Sequence, residues 1–119
     1  MGITRQKLIV KQAHQSRRKA VIEFLIDSGP TYSVVSAATL KKLGIRAYRE
    51  LDFSLAGGTL ITRRLGDAYF ELDGHGGAAP VVFGEKGDAA LLGATTLEAM
   101  GFVLDPFKRR LEPARMLFM

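Results

Sequence analysis

The chain has 119 residues, 47% of them hydrophobic and 24% charged, with 17 Lys and Arg against 12 Asp and Glu. That length suits a single domain over residues 1–119, with a core large enough to need no covalent staples. Cysteine is absent, which excludes disulfides, thiolate metal sites and thiol nucleophiles and makes a reducing cytoplasm the expected compartment.

The formal charge of +5 is unevenly spread: residues 1–50 carry ten Lys or Arg and three Asp or Glu, and residues 51–119 carry seven and nine. Seven of the ten cations of the basic half fall at Arg17-Arg18-Lys19, Lys41-Lys42, Arg46 and Arg49. Scattered in this way they read as a solvated surface, so no nucleic-acid partner is expected; a nucleic-acid-binding β-domain resting on this basic half is the weaker option, and its sign would be binding that collapses with added salt. Residues 1–11 mix charged and apolar side chains, unlike a secretory leader. No segment approaches the roughly 20 apolar residues that cross a bilayer, so no membrane partner is expected either.

In chain order, Ile3 to Lys11 alternates loosely and reads as a strand, residues 12–19 as a polar loop, and Ala20 to Ile26 as a second strand pairing with the first. In that second strand Ala20, Ile22, Phe24 and Ile26 share one face and Val21, Glu23 and Leu25 the other. Asp27-Ser28-Gly29-Pro30 follows at once. An ionised carboxylate at the end of a buried strand is costly unless it is hydrogen-bonded. The Ser28 hydroxyl and a backbone N–H brought close by Gly29 can supply that bonding and hold Asp27 at the floor of a cleft.

Ser36 has the form of an N-cap for a short helix over Ala37 to Leu43, with Leu40 and Leu43 inward, Gly44 as a left-handed end and Ile45 folding back. This helix is expected to brace the Asp27 turn. Leu51 to Leu55 and Thr59 to Leu65 read as strands around Ala56-Gly57-Gly58, a hairpin tip free to move. Ala68 to Leu72 is a further half-buried strand ending in the turn Asp73 to Gly77, which lacks the glycine spacing of a dinucleotide site. Pro80 to Phe83 is a strand and Gly84 to Asp88 a turn. Leu91 and Leu92 end a strand before Gly93. Thr95-x-x-Glu98 reads as a capping box opening a helix with Leu97 and Met100 inward, closed by Gly101, with Phe102 folding back. Strand, glycine turn, short helix and terminal glycine thus occur twice, a weak internal two-fold repeat. The ending Met116-Leu117-Phe118-Met119 is apolar and reads as buried or paired with a partner.

Ile26-Asp27-Ser28-Gly29 resembles the Asp-Thr/Ser-Gly signature of aspartic proteases, and Ala90-Leu91-Leu92-Gly93 followed by Ala94 to Glu98 resembles the apolar-apolar-Gly element and helix of the retroviral-type, single-domain members. The chain looks most like the small bacterial and archaeal retropepsin-like proteins. The resemblance implies a mainly β, retropepsin-like barrel with two short helices, assembled as a homodimer. It implies an aspartic endopeptidase with Asp27, Ser28 and Gly29 in the catalytic turn. Pro30, Gly57, Gly58, Leu92 and Gly93 would then line the binding site for a polypeptide in extended conformation, with the Gly57-Gly58 hairpin as a flap. No metal or organic cofactor is implied. Pro30 departs from the family pattern, which has Ala or Ser there, and removes a backbone donor. A non-catalytic dimerisation or peptide-binding module of the same fold is the alternative.

Other chemistry has less support. Asp73, Asp88 and Asp105 read as solvated loop acids, Glu23 as facing solvent or an Arg, and Thr31 and Ser33 as bonding to local backbone. A Ser-His-Asp hydrolase would need His14 or His75, both in expected surface loops, and no G-x-S-x-G elbow exists. Two isolated histidines without matching carboxylates also argue against zinc.

Overall fold

A computed structural model describes residues 4–27 and 29–115; Ser28 and the apolar ending over residues 116–119 lie outside the described residues. The fold is mainly β with two short helices. In chain order the elements are β1 (Thr4–Lys11), β2 (Lys19–Ile26), β3 (Ser33–Ser36), α1 (Ala37–Lys42), β4 (Arg49–Ser54), β5 (Leu60–Leu72), β6 (His75–Gly84), β7 (Leu91–Leu92), α2 (Ala94–Met100), β8 (Phe102–Asp105) and β9 (Arg110–Pro113).

One sheet has the order β1-β2-β7-β3-β6-β5-β4, and β1 also pairs with β5, so the hydrogen-bonded neighbours run from β1 back to β1 with β4 attached outside that circuit. β8 and β9 form a separate antiparallel pair. The core joins Leu8 and Val10 of β1, Phe24 and Ile26 of β2, Ala68 and Phe70 of β5, and Val81 and Phe83 of β6 to Leu40 of α1, Leu97 and Met100 of α2 and Phe102 of β8. The rings of Phe24 and Phe70 meet at 6.1 Å between centroids. The alternation read in β2 is the observed one: Phe24 and Ile26 are buried while Val21 and Glu23 face out, with Glu23 3.7 Å from Arg5. No helix among the described residues is long and apolar enough to cross a membrane.

α1 begins and ends as expected. The Ser36 hydroxyl accepts from the Thr39 N–H, Gly44 adopts φ +79°, and the N–H groups of Gly44 and Ile45 donate to the carbonyls of Lys41 and Leu40. Three expectations need correction. β5 is one strand of 13 residues, not two. It passes through Gly66, where a Cβ would lie 2.8 Å from the Arg46 carbonyl oxygen and 2.9 Å from Phe83, so a crossing segment is packed on its backbone. The glycine-rich turn is only Asp73 and Gly74, both with positive φ as a two-residue hairpin requires. Gly76 and Gly77 belong to β6, where Gly77 lies against the Ala99 backbone of α2. Thr95 caps nothing: α2 starts at Ala94 after Gly93, without a side-chain cap.

The internal repeat is visible in the pairing. β2 pairs in parallel with β7 (Leu25 with Leu91) and β3 in parallel with β6 (Val34 with Val82), while Val34 of β3 lies opposite Leu91 of β7. Exchanging residues 25 with 82 and 34 with 91, each pair 57 apart, leaves this pattern unchanged. The same offset of 57 relates the N-caps Ser36 and Gly93, the buried Leu40 and Leu97, and the left-handed Gly44 and Gly101. Each half therefore lends a strand to the other.

Candidate active site

β2 delivers Asp27 to the end of the sheet because Ile26 is anchored in the core beside Leu92. The Gly29 N–H donates to Asp27 Oδ1 at 3.0 Å. This is the bond expected of a glycine at that position. The cleft-floor expectation is not met within one chain: Asp27 and Gly29 are exposed.

The turn is held from behind by α2, not by α1. The N–H groups of Ala94 and Thr95, which have no partner inside their own helix, donate to the carbonyls of Pro30 and Thr31 at 3.0 Å each. Tertiary carbonyls thus take the place of the expected side-chain cap. Ser33 is fully buried; its Oγ accepts from the Gly93 N–H at 2.9 Å and shares a 2.5 Å hydrogen bond with Thr96 Oγ1. No buried side-chain polar atom among the described residues is left without a partner. Gly93 has an extended φ of −92°, so its requirement is space: a Cβ would come within 2.5 Å of the Tyr32 carbonyl carbon and 2.8 Å of the Thr31 oxygen. α1 instead packs on β3 and β6. Its C-terminal end meets the β1–β2 loop, where Arg18 bonds the Lys42 carbonyl.

Beside the turn lies a cavity of about 630 Å³. One wall is Pro30, Tyr32 and Val34, running on from the Asp27 turn; the other is Phe53 and Leu55 from β4 and its turn, with Ile61 from β5. Phe53 and Ile61 are cross-strand partners. The hairpin that carries this second wall closes through Leu55 and Gly58, whose N–H donates to the Leu55 carbonyl at 2.8 Å and whose φ is +86°. Its tip residues Gly57 and Gly58 are exposed, with open space around them, and do not line the cavity. Of the expected binding residues, Pro30 lines the cavity. Leu92 is fully buried and Gly93 packs against the turn, so both support the site from within.

Two charged residues in the cavity were missed as site residues. Arg63 reaches in from β5, and its Nε and Nη2 donate to the two carboxylate oxygens of Asp88 at 2.8 and 3.2 Å, with Glu85 3.7 Å away. The Arg63 hydrogen bond, helped by the Glu85 N–H, lowers the Asp88 pKa against the opposing effect of burial, and the same hydrogen bond raises that of Arg63. Asp88 is thus an exposed loop acid, as expected, but one held in an ion pair by Arg63. The signal that could have found Arg63 is its position between Ile61 and Leu65, on the face of the strand that is otherwise apolar.

The remaining candidates stay apart from this site. Asp105 accepts from the N–H groups of Phe107 and Lys108 in its own turn, and Asp73 sits exposed in the β5–β6 turn. His14 stacks on Tyr69 and His75 against Phe102. Among the described residues no group of three or more metal-ligating side chains is assembled. The position 57 residues after Asp27 is Gly84, so the internal repeat provides no second carboxylate opposite the first. Comparison with protein-family models and with curated proteins gives no match.

Proposed function

We propose that the chain is a retropepsin-like aspartic endopeptidase whose β circuit is the barrel of that fold and whose working form is a two-fold homodimer. The observation that carries this reading is the Asp27 turn: an exposed carboxylate, fixed by the Gly29 N–H at 3.0 Å, at the end of a strand anchored by the buried Phe24 and Ile26 and beside a cavity walled by a glycine-tipped hairpin. Proteolysis by carboxylates needs two of them close enough to share a proton. The repeat supplies Gly84, not an acid, so the second Asp27 comes from a second chain.

In the dimer one Asp27 carboxylate takes a proton from a water molecule while the other, protonated, donates to the peptide carbonyl oxygen. The water oxygen bonds to the carbonyl carbon, and the tetrahedral intermediate collapses with its C–N bond broken and a proton passed to the leaving nitrogen. An extended peptide would lie between the hairpin and the Pro30 to Val34 wall, held through main-chain hydrogen bonds, with Phe53 and Ile61 facing its side chains. Ser28 would orient the carboxylates. The chemistry requires no cofactor, and a chain without cysteine suits a reducing, cytoplasmic setting.

The test is cleavage of an unfolded protein at mildly acidic pH by the wild type and by Asp27→Asn. Cleavage by the first and none by the second is expected, with both folded by circular dichroism. Adding excess Asp27→Asn under subunit exchange should suppress wild-type activity, because a mixed dimer holds one carboxylate. Cleavage that survives Asp27→Asn, or that persists at dilutions where sedimentation shows only monomer, would overturn the shared-carboxylate mechanism. Pro30 favours one second reading, a non-catalytic peptide-binding dimer, since it offers substrate no N–H. Dimerisation and peptide binding without cleavage would establish that reading instead.

A further inference from the structure

Two basic groups that are far apart in the sequence meet at one end of the molecule. Lys11 pairs with Lys19 and Thr4 with Ile26, so the β1–β2 loop lies at the opposite end of the hairpin from Asp27. Eight residue steps along the strand separate Lys19 from Asp27, roughly 26 Å. The end of α1 reaches the same place: Gln12 Nε2 donates to the Gly44 carbonyl at 3.1 Å and Arg18 Nη1 to the Lys42 carbonyl at 3.2 Å. Arg17, Arg18, Lys19, Lys41 and Lys42 are all exposed there. None of the five has an ion-pair partner among the described residues, whereas Lys11 at the base of the loop is neutralised by Glu71 at 3.0 Å. Residues 12–22 and 36–49 contain no Asp or Glu at all.

The C-terminal end of a helix favours Lys41 and Lys42, but that accounts for neither Arg17 nor Lys19. Between the two groups is a shallow hollow of about 400 Å³, walled by Gln12, Ser16, Arg17, Arg18 and the end of α1. Its loop is ordered by its own bonds, Ser16 N–H to the Ala13 carbonyl and Ala13 N–H to Ser16 Oγ, each 3.0 Å. The hollow thus presents guanidinium and amide donors on a pre-formed turn.

We propose that this basic pole binds the phosphate backbone of a nucleic acid without reading its bases. Guanidinium forks beside an amide donor suit phosphate oxygens, and five unpaired cations over a short arc match a chain with one charge per nucleotide. The loop and the helix end contribute no large exposed apolar side chain that could insert into a bilayer; the nearest in sequence, Val21, faces out from β2. The pole is remote from Asp27 and does not depend on the peptidase reading.

The experiment is fluorescence anisotropy with a labelled single strand of about 20 nucleotides, across a salt series, for wild type, Arg17→Ala/Lys19→Ala and Lys41→Ala/Lys42→Ala. Arg18 is left in place because it holds the Lys42 carbonyl. Wild-type affinity should fall with salt at a log–log slope of roughly −3, as about four or five phosphate contacts give on a single strand, and each double variant, which removes two of them, should flatten it by about 1.4. Phosphatidylserine vesicles and polyglutamate serve as competing polyanions. No binding at low salt, or binding that neither double variant weakens, overturns the proposal; so does tighter binding to the vesicles or to polyglutamate. Because the two variant pairs lie on separate elements, misfolding of one, seen in its thermal unfolding, leaves the other to decide.

Discussion

Asp27 is held by the 3.0 Å hydrogen bond from Gly29, but the firmness of its turn comes from Ser33 and Gly93 behind it. Ser33→Ala would strand the Gly93 N–H and the Thr96 hydroxyl in the interior, and the expected loss is about 2 kcal/mol in urea denaturation. Thr96→Val added to it should lose less than the sum of the single changes, since one unpaired hydroxyl is then gone. Gly93→Ala forces a methyl into the Tyr32 and Thr31 carbonyl groups and should destabilise by about 2–3 kcal/mol. Asp27→Asn removes a carboxylate that the dimer would crowd against its twin, so its melting temperature should equal or exceed that of the wild type. Asp88 has its own signature. Its pKa is lower folded than unfolded, so its contribution is complete above the ordinary aspartate value near about 4 and fades as pH falls through the folded value. Stability should drop on acidification below about pH 4, and Asp88→Asn should drop less; Asp105, shifted the same way, contributes equally to both proteins.

At the scale of elements, the hairpin at residues 55–59 separates its two glycines. Gly58 has φ +86° and Gly57 has neither a positive φ nor a close neighbour. Gly58→Val should therefore destabilise by about 1–2 kcal/mol, and Gly57→Val by under about 0.5 kcal/mol, in thermal unfolding. If the hairpin moves over substrate, Gly57→Val then isolates an effect on peptide turnover from one on stability. What was legible in the sequence was local. The Phe24 and Ile26 alternation, the Ser36 cap and the Gly44 and Gly101 ends each depend on residues a few positions apart. What was not legible depends on residues distant in the chain. Thr95 and Glu98 have the spacing of a capping box, yet the carbonyls of Pro30 and Thr31 satisfy the α2 N–H groups first. Thr59 to Leu65 and Ala68 to Leu72 read as separate strands because nothing local shows that the chain continues through Gly66 with the Arg46 backbone packed against it. Asp88 looked like any turn acid, since its partner Arg63 stands 25 residues away.

For the whole molecule, the circuit of strands leaves β4, β8 and β9 outside it, and a two-fold partner would meet the chain on the exposed side of the Asp27 turn. Activity should consequently fall more steeply than in proportion to enzyme concentration on dilution, with sedimentation showing dissociation over the same range. The interlocked repeat bears also on how the chain comes into being. β2 lacks its β7 neighbour and β3 lacks both β6 and β7 until residues through Leu92 exist, and the carbonyls of Pro30 and Thr31 lack their hydrogen-bond donors until Ala94 and Thr95 follow. A nascent chain emerging from the ribosome with only its first half made would expose the free edges of β2 and β3 and could close neither. Synthesis therefore has to pass the start of α2 before the central sheet can complete its pairing, and the strands of the two halves are expected to order together.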